Sequence, residues 1–296
     1  ASAPLSCIKR TFFMADLLNV EHLSVSFFTP AGEVQAVRDV SFSLKAGEVL
    51  AIVGESGCGK TTTALSICHL LPKEGKVESG QILMEGIDYG TLSEEEIMKH
   101  RWEDVSIIFQ GAMNAFNPVK KVGWQIAEAC ILHQGMSKEE AWKRAGDLFE
   151  MVGIARERVS QYPHEFSGGM KQRAMIAMAL ACNPKLIIGD EPTTALDVMI
   201  QAQILELLEK LRKELNMGMI LITHDLSILS ETCDKIAVMY AGKIAEMGTV
   251  DDIFNHPMHP YTKKLLACFP NISSGSRVIP EGIPGYPPSL IDPTEG

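Results

Sequence analysis

The most constraining feature of this chain is the stretch GESGCGKTT, which runs from Gly54 to Thr62. It matches the pattern GxxxxGK[ST] and stands between an apolar run over 48–53, typical of a buried strand, and a run over 62–70, typical of a helix. In that context the glycines let successive backbone N–H groups point inward, and the helix adds the positive end of its dipole. The sequence therefore predicts a phosphate-binding loop over 54–62, called the phosphate loop below, while several classes of nucleotide-binding protein remain open.

The residue types of the phosphate loop suit different parts of a nucleotide. Lys60 is predicted to reach the β- and γ-phosphates as a point charge, and the Thr61 hydroxyl is predicted to ligate Mg²⁺. Because the Cys58 thiol lies within the loop, we expect its alkylation to block nucleotide binding. The loop residues that are also predicted to contact the nucleotide are Gly54, Glu55, Ser56, Gly57, Cys58, Gly59 and Thr62.

Composition excludes several other classes of protein. A chain of 296 residues with 46% hydrophobic content can bury a substantial core. The longest uninterrupted apolar run, 174–182, is far short of the roughly 20 residues that span a bilayer, so a membrane role would need a partner. A net charge of −10 without a basic stripe argues against general nucleic-acid binding. The scattered cysteines lack CxxC spacing, which favours reduced thiols over a disulfide framework or a metal cluster.

Ahead of the phosphate loop, apolar residues alternate over 17–28 and again over 34–44, on either side of the turn 29–32. This pattern predicts an antiparallel sheet. Phe27 and Phe28 close the first strand, where an aromatic ring can stack on a nucleotide base. Phe27 is the candidate for that contact, and a position in the core is the alternative.

Between the phosphate loop and residue 182 the pattern becomes mainly helical. A helix over 93–101 is predicted to begin with Ser93 as N-cap and Glu96 completing a capping box. Two further helices are predicted over 122–134 and from Ser137 to Val152. The stretch from about 111 to 182 is therefore predicted to be an α-helical insertion.

Polar side chains follow three predicted strands. Gln110 comes after an apolar run over 105–109, where it can reach Mg²⁺ or the attacking water, although a lone glutamine is more often a loop residue. Asp190 and Glu191 end the run over 185–189, which suits a metal ligand acting through water and a general base, respectively. His224 follows the run over 219–223 and can contact a γ-phosphate.

A second anion-binding geometry is predicted at Ser167, Gly168 and Gly169, which open a helix. One nucleotide has no obvious need for two anion-binding sites in one chain. The alternative is that Ser167 is an ordinary helix cap. Farther along, the turn 194–197 leads into a helix over 198–215 with Asp197 as its predicted N-cap.

Taken together, these motifs resemble the ATP-binding cassette (ABC) ATPases over about 17–254. The matching segments are GESGCGKTT (Walker A), Gln110 (Q-loop), FSGGMKQR (signature), LIIGDE (Walker B), ALD with Asp197 (D-loop) and His224 (switch histidine). The resemblance implies an α/β fold: a P-loop NTPase (RecA-like) core with an N-terminal antiparallel β-subdomain and an inserted α-helical subdomain. It also implies ATP and Mg²⁺ as ligands.

The resemblance also implies how such a chain works. Two cassettes pair head to tail, so that Ser167–Gly169 and Asp197 of one subunit complete the site at the other subunit's phosphate loop. Glu191 is then the residue that activates water, and the motion drives membrane domains docked near Gln110. The second ATPase subunit is expected to be identical or homologous.

Two segments near the end, HPMHPYTKKLL over 256–266 and IPGYPPSL over 283–290, resemble the oligopeptide, dipeptide and nickel importer ATPases. That branch implies two integral membrane permease subunits, an external solute-binding protein reached indirectly, and a place at the cytoplasmic face of the cell membrane. Peptides are the expected solute, with nickel or another small solute as the alternative. A DNA-repair or ribosome-associated ABC ATPase is the alternative outside transport, and no nucleic-acid partner is expected.

The domain organisation predicted from these matches has three parts. Residues 1–13 are interpreted as a leader or cloning remnant before a start at Met14, residues 14–256 as the nucleotide-binding domain, and residues 257–296 as a proline-rich extension. In the importer branch the extension usually continues into a cysteine cluster that can hold an iron–sulphur centre. The sequence given stops before such a cluster, so no iron–sulphur cofactor is expected with it.

Overall fold

The computed structural model describes residues 16–111, 115–194, 196–224, 226, 229–268, 283, 285, 286, 288–291 and 293. The predicted leader over 1–13 and the start at Met14 lie outside the described residues. The same holds for Ala195 in the predicted turn 194–197 and for much of the proline-rich extension.

The described part of the chain forms two β-sheets. An antiparallel sheet has the strand order β2-β1-β4-β5, and a central sheet has the order β10-β9-β3-β8-β7-β6. Within the central sheet, strands β9, β3, β8, β7 and β6 run parallel, while β10 is antiparallel to β9. The strands are β1 (Leu18–Thr29), β2 (Gly32–Leu44), β3 (Val49–Val53), β4 (Gly75–Met84), β5 (Ile87–Asp88), β6 (Val105–Ile108), β7 (Leu186–Asp190), β8 (Gly218–Ile222), β9 (Lys235–Tyr240) and β10 (Lys243–Thr249).

Helices cover the central sheet and form the insertion. The α-helices are α1 (Lys60–Ile67), α2 (Glu94–His100), α3 (Val122–Gln134), α4 (Lys138–Met151), α5 (Gly168–Ala179), α6 (Val198–Leu215), α7 (Leu229–Thr232), α8 (Val250–Asn255) and α9 (Pro260–Ala267). No helix in the described part of the chain combines the length and the apolar character needed to cross a bilayer.

Apolar cores lie on both faces of the central sheet. Leu50 and Ile52 of β3 pack with the antiparallel sheet and α1. Ala51 and Val53, which alternate with them, pack against the carboxyl-terminal elements. A further core joins α3, α4 and α5 to the central sheet. Strands buried on both faces are apolar throughout, which explains the continuous apolar sequences of β3 and β8.

The predicted fold class is confirmed: a parallel core, an antiparallel subdomain ahead of the phosphate loop, and a helical insertion are all present. The helix starts predicted from Ser93 and Ser137 are confirmed as capping boxes. Helix α1 begins at Lys60 and ends at Ile67, earlier at both ends than the predicted 62–70. It ends early because His69 has a left-handed φ of 55°. The boundaries of the three predicted domains remain a prediction.

Asp104, 8% exposed, connects the antiparallel subdomain to the central sheet. Its carboxylate accepts hydrogen bonds from the Tyr89 hydroxyl (3.0 Å) and pairs with His100 Nδ1 (2.6 Å) and Lys185 Nζ (2.8 Å). Its carbonyl oxygen accepts from the N–H groups of Lys185 and Leu186. Burial alone raises the pKa of Asp104, but the bonds from Lys185, His100 and Tyr89 outweigh it and hold the pKa below its ordinary value.

We expect Asp104→Asn to lower the free energy of unfolding by about 1–3 kcal/mol at neutral pH, because a buried acceptor of charged donors is lost. A carboxyl whose pKa is lowered by folding stabilises the protein above its unfolded pKa and loses that effect as pH falls. The difference in the free energy of unfolding between wild type and Asp104→Asn should therefore become smaller below about pH 4. Urea denaturation at a series of pH values measures it.

Asp39→Asn is the matched control, because Asp39 pairs with His22 at 2.7 Å on the surface, with the two side chains 70% and 80% exposed. An exposed pair contributes little, so this variant should change stability by less than about 1 kcal/mol. An Asp104→Asn effect that is no larger than the control, or that does not change with pH, would contradict the role given to Asp104.

Candidate functional site

The phosphate loop fits tightly between its neighbouring strands. Gly59, with a φ of 105°, adopts a conformation that favours glycine, and an added Cβ would lie 2.4 Å from the carbonyl oxygen of Ala36. At Gly54 an added Cβ would lie 2.2 Å from the carbonyl oxygen of Met239. The loop can therefore approach β2 and β9 only because these two positions have no side chain.

The Lys60 side chain folds back over the first residues of the phosphate loop. Its side chain is buried, with the residue 7% exposed, and Nζ donates to the carbonyl oxygens of Gly54 (2.8 Å) and Glu55 (2.9 Å). Nζ also lies 3.7 Å from Cys58 Sγ. A buried cation held by neutral carbonyls and a thiol leaves a positive charge for an anion to neutralise.

A cavity of about 270 Å³ opens at the phosphate loop, beside the carboxyl ends of β3, β6, β7 and β8. Ligands of parallel sheets commonly bind at this edge. All residues of the phosphate loop except Glu55 and Cys58 line the cavity. The other lining residues are Ala36, Gln110, Glu191 and His224. The structure thus brings together the polar side chains that sequence analysis singled out after three separate strands.

Glu191 lies at the centre of these side chains. Its Oε2 accepts hydrogen bonds from Gln110 Nε2 (2.6 Å) and Thr194 Oγ1 (2.9 Å), and His224 Nδ1 lies 3.3 Å from Oε1. The backbone of Glu191 has a left-handed φ of 48°, and its N–H donates to Ile222 O at 2.9 Å. Non-glycine residues in this conformation are often found at functional sites.

Asp190 is 2% exposed and contacts the Thr61 hydroxyl, but its Oδ1 has no hydrogen-bond partner among the residues that the structure describes. Burial raises the pKa of Asp190 above its ordinary value, with Glu191 adding to the rise, while the Thr61 bond and Lys60 oppose it. An unpaired buried carboxylate oxygen beside a hydroxyl fits a cation. With Gln110 these residues supply the oxygen ligands that Mg²⁺ prefers, and Mg²⁺ usually takes few protein ligands beside phosphate oxygens.

The second predicted cradle lies apart from this cavity. Ser167 caps α5, with Oγ accepting from Met170 N at 3.4 Å, and Asp197 caps α6, with Oδ1 accepting from Ile200 N at 3.0 Å. Ser167, Gly168, Gly169 and Asp197 do not line the cavity at the phosphate loop of the same chain. Within the described residues, the two anion-binding geometries therefore belong to separate surfaces.

Phe27 and Cys58 also fall outside the cavity lining. The Phe27 ring lies against Gly75, where an added Cβ would be 2.9 Å from the ring, and Phe28 is 52% exposed. Cys58 is 4% exposed and packs in an apolar core, and burial raises the pKa of its thiol. Burial of the thiol and its raised pKa are expected to slow alkylation, because the reactive species is the thiolate. That alkylation of Cys58 blocks nucleotide binding remains a prediction.

Two residues contribute to this site without having been predicted from the sequence. Ala36, on β2, lines the cavity, and nothing in a strand alanine signals such a role. Tyr261, on α9, accepts a hydrogen bond from Glu55 N at 3.2 Å through its hydroxyl. Its segment, His259-Pro260-Tyr261, is one of those that resemble the importer branch, but this resemblance does not indicate a contact with the phosphate loop.

The fold and the site define a P-loop ATPase of the cassette type. A family model described as "ABC transporter" matches residues 37–194, and one described as "Oligopeptide/dipeptide transporter, C-terminal region" matches residues 245–296. The chain belongs to the ABC transporter ATP-binding family, and ATP is the nucleotide that this family binds and hydrolyses.

Individual relatives agree with this assignment. The chain is similar to the oligopeptide transport ATP-binding protein OppD of Bacillus subtilis, with 53% identity over 95% of this chain and 79% of that protein. It is also similar to the dipeptide transport ATP-binding protein DppD of the same organism, with 51% identity over 96% of this chain and 85% of that protein. The OppD of Escherichia coli is 49% identical over 93% of this chain and 82% of its own length.

Solved cassette structures share the fold. The dimeric structure of MJ0796, a bacterial ABC transporter cassette, has a TM-score of 0.70 and 28% identity, covering 79% of this chain and 98% of that one. A post-hydrolysis dimer of the same cassette bound to ADP and Pi matches with the same TM-score, identity and coverage. The predicted family resemblance is thereby confirmed.

We expect Gly59→Ala to abolish nucleotide binding, because its Cβ would press on the carbonyl oxygen of Ala36 and displace the phosphate loop. The matched control is Gly86→Ala, which has a similar positive φ of 84° but no atom within 4 Å of the added Cβ. The control should cost about 1 kcal/mol of stability and leave ATP affinity unchanged. Fluorescent-nucleotide titration measures the ATP affinity of both variants, and thermal melts measure their stability. An equal loss of affinity in Gly59→Ala and Gly86→Ala would contradict the close-packing argument.

Proposed function

We propose that this chain is the ATP-hydrolysing subunit of a membrane importer for oligopeptides or dipeptides. The observation that carries the ATPase half of the proposal is Glu191, held between Gln110, Thr194 and His224 at the cavity of the phosphate loop. The transport half is supported by the match of residues 245–296 to the oligopeptide/dipeptide transporter C-terminal region and by the relatives named for peptide transport.

Binding begins at the phosphate loop. Its inward N–H groups and the amino terminus of α1 receive the phosphates, and Lys60 moves its donors from the loop carbonyls to the β- and γ-phosphates. Thr61 and Gln110 would hold Mg²⁺ directly and Asp190 through water; the ion, when bound, neutralises charge on the phosphate oxygens. Phe27 remains a proposed contact for the base.

Hydrolysis needs a base beside the γ-phosphate. Glu191 accepts one proton of the attacking water as the water oxygen bonds to the γ-phosphorus and the bond from that phosphorus to the β–γ bridging oxygen breaks, which releases ADP and phosphate. Gln110 and Thr194 fix the carboxylate by donating to one oxygen, and the other oxygen, near His224, is the one proposed to receive the proton. His224, with its side chain 68% exposed, is proposed to contact the γ-phosphate at the entrance.

The signature segment completes the site in trans. Ser167, Gly168 and Gly169 stand at the start of α5, where the first N–H groups of a helix have no partner within the helix, but they lie off the cavity of their own chain. This suits a role at the cavity of a second ATPase subunit. Asp197, at the start of α6, is proposed to join them. The second subunit is identical or homologous, and ATP draws the two together head to tail.

We place this subunit at the cytoplasmic face of the cell membrane, bound to two integral membrane permease subunits and served indirectly by an external solute-binding protein. Nickel or another small solute is the alternative within the same branch. The relatives do not favour the alternative of a DNA-repair or ribosome-associated ABC ATPase.

We expect Glu191→Gln to bind ATP but to hydrolyse it about 10²- to 10⁴-fold more slowly, because the general base is lost. With ATP present, alone or with its native mate, the variant should accumulate as a dimer in size-exclusion chromatography. Lys60→Ala is the control, since it should bind ATP weakly and remain monomeric. Near-normal hydrolysis by Glu191→Gln, or dimers that form equally without ATP, would refute these roles.

We expect the tagged chain to purify from native membranes with two integral membrane proteins. Reconstituted with the solute-binding protein, the complex should accumulate labelled oligopeptide only when ATP is present, and the Glu191→Gln complex should not. Labelled Ni²⁺ is tested in parallel. Uptake of nickel without peptide would change the proposed solute, and recovery with ribosomes or DNA would overturn the transport role.

A further inference from the structure

The carboxyl-terminal segment reaches the phosphate loop from behind the nucleotide cavity. Tyr261, in the first turn of α9, is 8% exposed, and its hydroxyl accepts a hydrogen bond from the N–H of Glu55 at 3.2 Å. The carbonyl oxygen of Glu55 accepts from Lys60 Nζ at 2.9 Å. The backbone N–H of Glu55 is thus bonded to the carboxyl-terminal segment, and its backbone carbonyl oxygen is bonded to Lys60.

The Tyr261 side chain is itself held in place. Its ring lies 4.5 Å from the ring of Tyr240, measured between centroids, at the end of β9. The backbone ahead of it is fixed because Glu246 accepts from the N–H groups of Met258 (2.7 Å) and His259 (3.0 Å). His259 Nδ1 in turn accepts from Tyr261 N at 3.1 Å. The hydroxyl is therefore an acceptor with a fixed position.

The described residues of the extension approach the same region a second time. The carbonyl oxygen of Leu290 accepts from Gln35 N on β2 at 2.8 Å. Pro288 and Leu290 also border a small cleft formed with loop residues 55–58 and Tyr240. The rear of the phosphate loop is therefore bordered by the carboxyl-terminal part of the chain at two places.

We propose that Tyr261 is a positioning residue for nucleotide binding: its hydroxyl fixes the Glu55 peptide group, so that ATP affinity depends on the docked His259-Pro260-Tyr261 segment. The argument is one of preorganisation. A loop whose N–H groups are already in position binds the phosphates without an entropic cost of ordering. A loop that has lost one of its hydrogen bonds must first be ordered, and this lowers its affinity for the nucleotide. Tyr261 does not line the nucleotide cavity, so it acts through Glu55.

The test is Tyr261→Phe, which keeps the ring and removes the acceptor. Loss of one net hydrogen bond corresponds to roughly a 2- to 12-fold rise in the Kd for ATP. The value of kcat at saturating ATP should stay within about twofold, because no group near the γ-phosphate changes. The Glu55 amide should exchange its hydrogen faster in the nucleotide-free variant, read by mass spectrometry with single-residue fragmentation.

Tyr240→Phe is the matched control. It removes a hydroxyl from the partner ring, and that hydroxyl shows no hydrogen bond within the part of the chain that the structure describes. This variant should leave ATP affinity and exchange at Glu55 at wild-type values. Thermal melts of both variants show whether either is destabilised.

Two outcomes overturn the proposal. The first is a Kd for ATP in Tyr261→Phe equal to that of wild type; if the melting temperature falls as well, Tyr261 is merely structural. The second is a Glu55 amide that exchanges without protection in the nucleotide-free wild-type protein, and this measurement needs no variant. A wild-type chain that binds no ATP would instead count against the proposed function.

Discussion

The close contact between the phosphate loop and the strands around it is the constraint on which the site depends. Gly59 and Gly54 bring the loop backbone against carbonyl oxygens of β2 and β9, at distances that leave no room for a Cβ. Gly242, in the turn between β9 and β10, donates its N–H to Cys58 O at 3.1 Å. The loop is therefore shaped by non-local contacts, and the apolar core between the antiparallel sheet and the central sheet holds β2 and β9 in place.

The backbone of Glu191 is strained, and its carboxylate is held in a fixed position. A left-handed φ at a non-glycine residue is unfavourable by about 1–3 kcal/mol, and it persists only where surrounding contacts determine it. Here the residue's N–H is bonded to β8, and its side chain is held by Gln110 from β6 and Thr194 from the following turn. The hydrogen bonds together hold the Glu191 carboxylate at the lining of the cavity where the phosphates are proposed to lie.

Much of the fold followed from local patterns. Ser93, Ser137 and Asp197 were predicted as helix starts because a side-chain oxygen capping nearby N–H groups leaves a short sequence signature. The gathering of Gln110, Glu191 and His224 could be inferred from their places after strands. What could not be inferred depends on distant packing: the burial of the Cys58 thiol, the Phe27 ring on Gly75, and the meeting of Tyr261 with Glu55, 206 residues apart.

The bond between Glu55 and Tyr261 links the chemistry allowed at two distant positions. The second residue of the phosphate loop must keep its backbone hydrogen for the bond to form. Proline at that position has none to give, so a tyrosine hydroxyl behind such a loop would face a ring carbon instead of a donor. Of the natural residue types, proline alone is therefore incompatible with this bond at the second position of the loop, because the tyrosine hydroxyl needs only a backbone N–H from it.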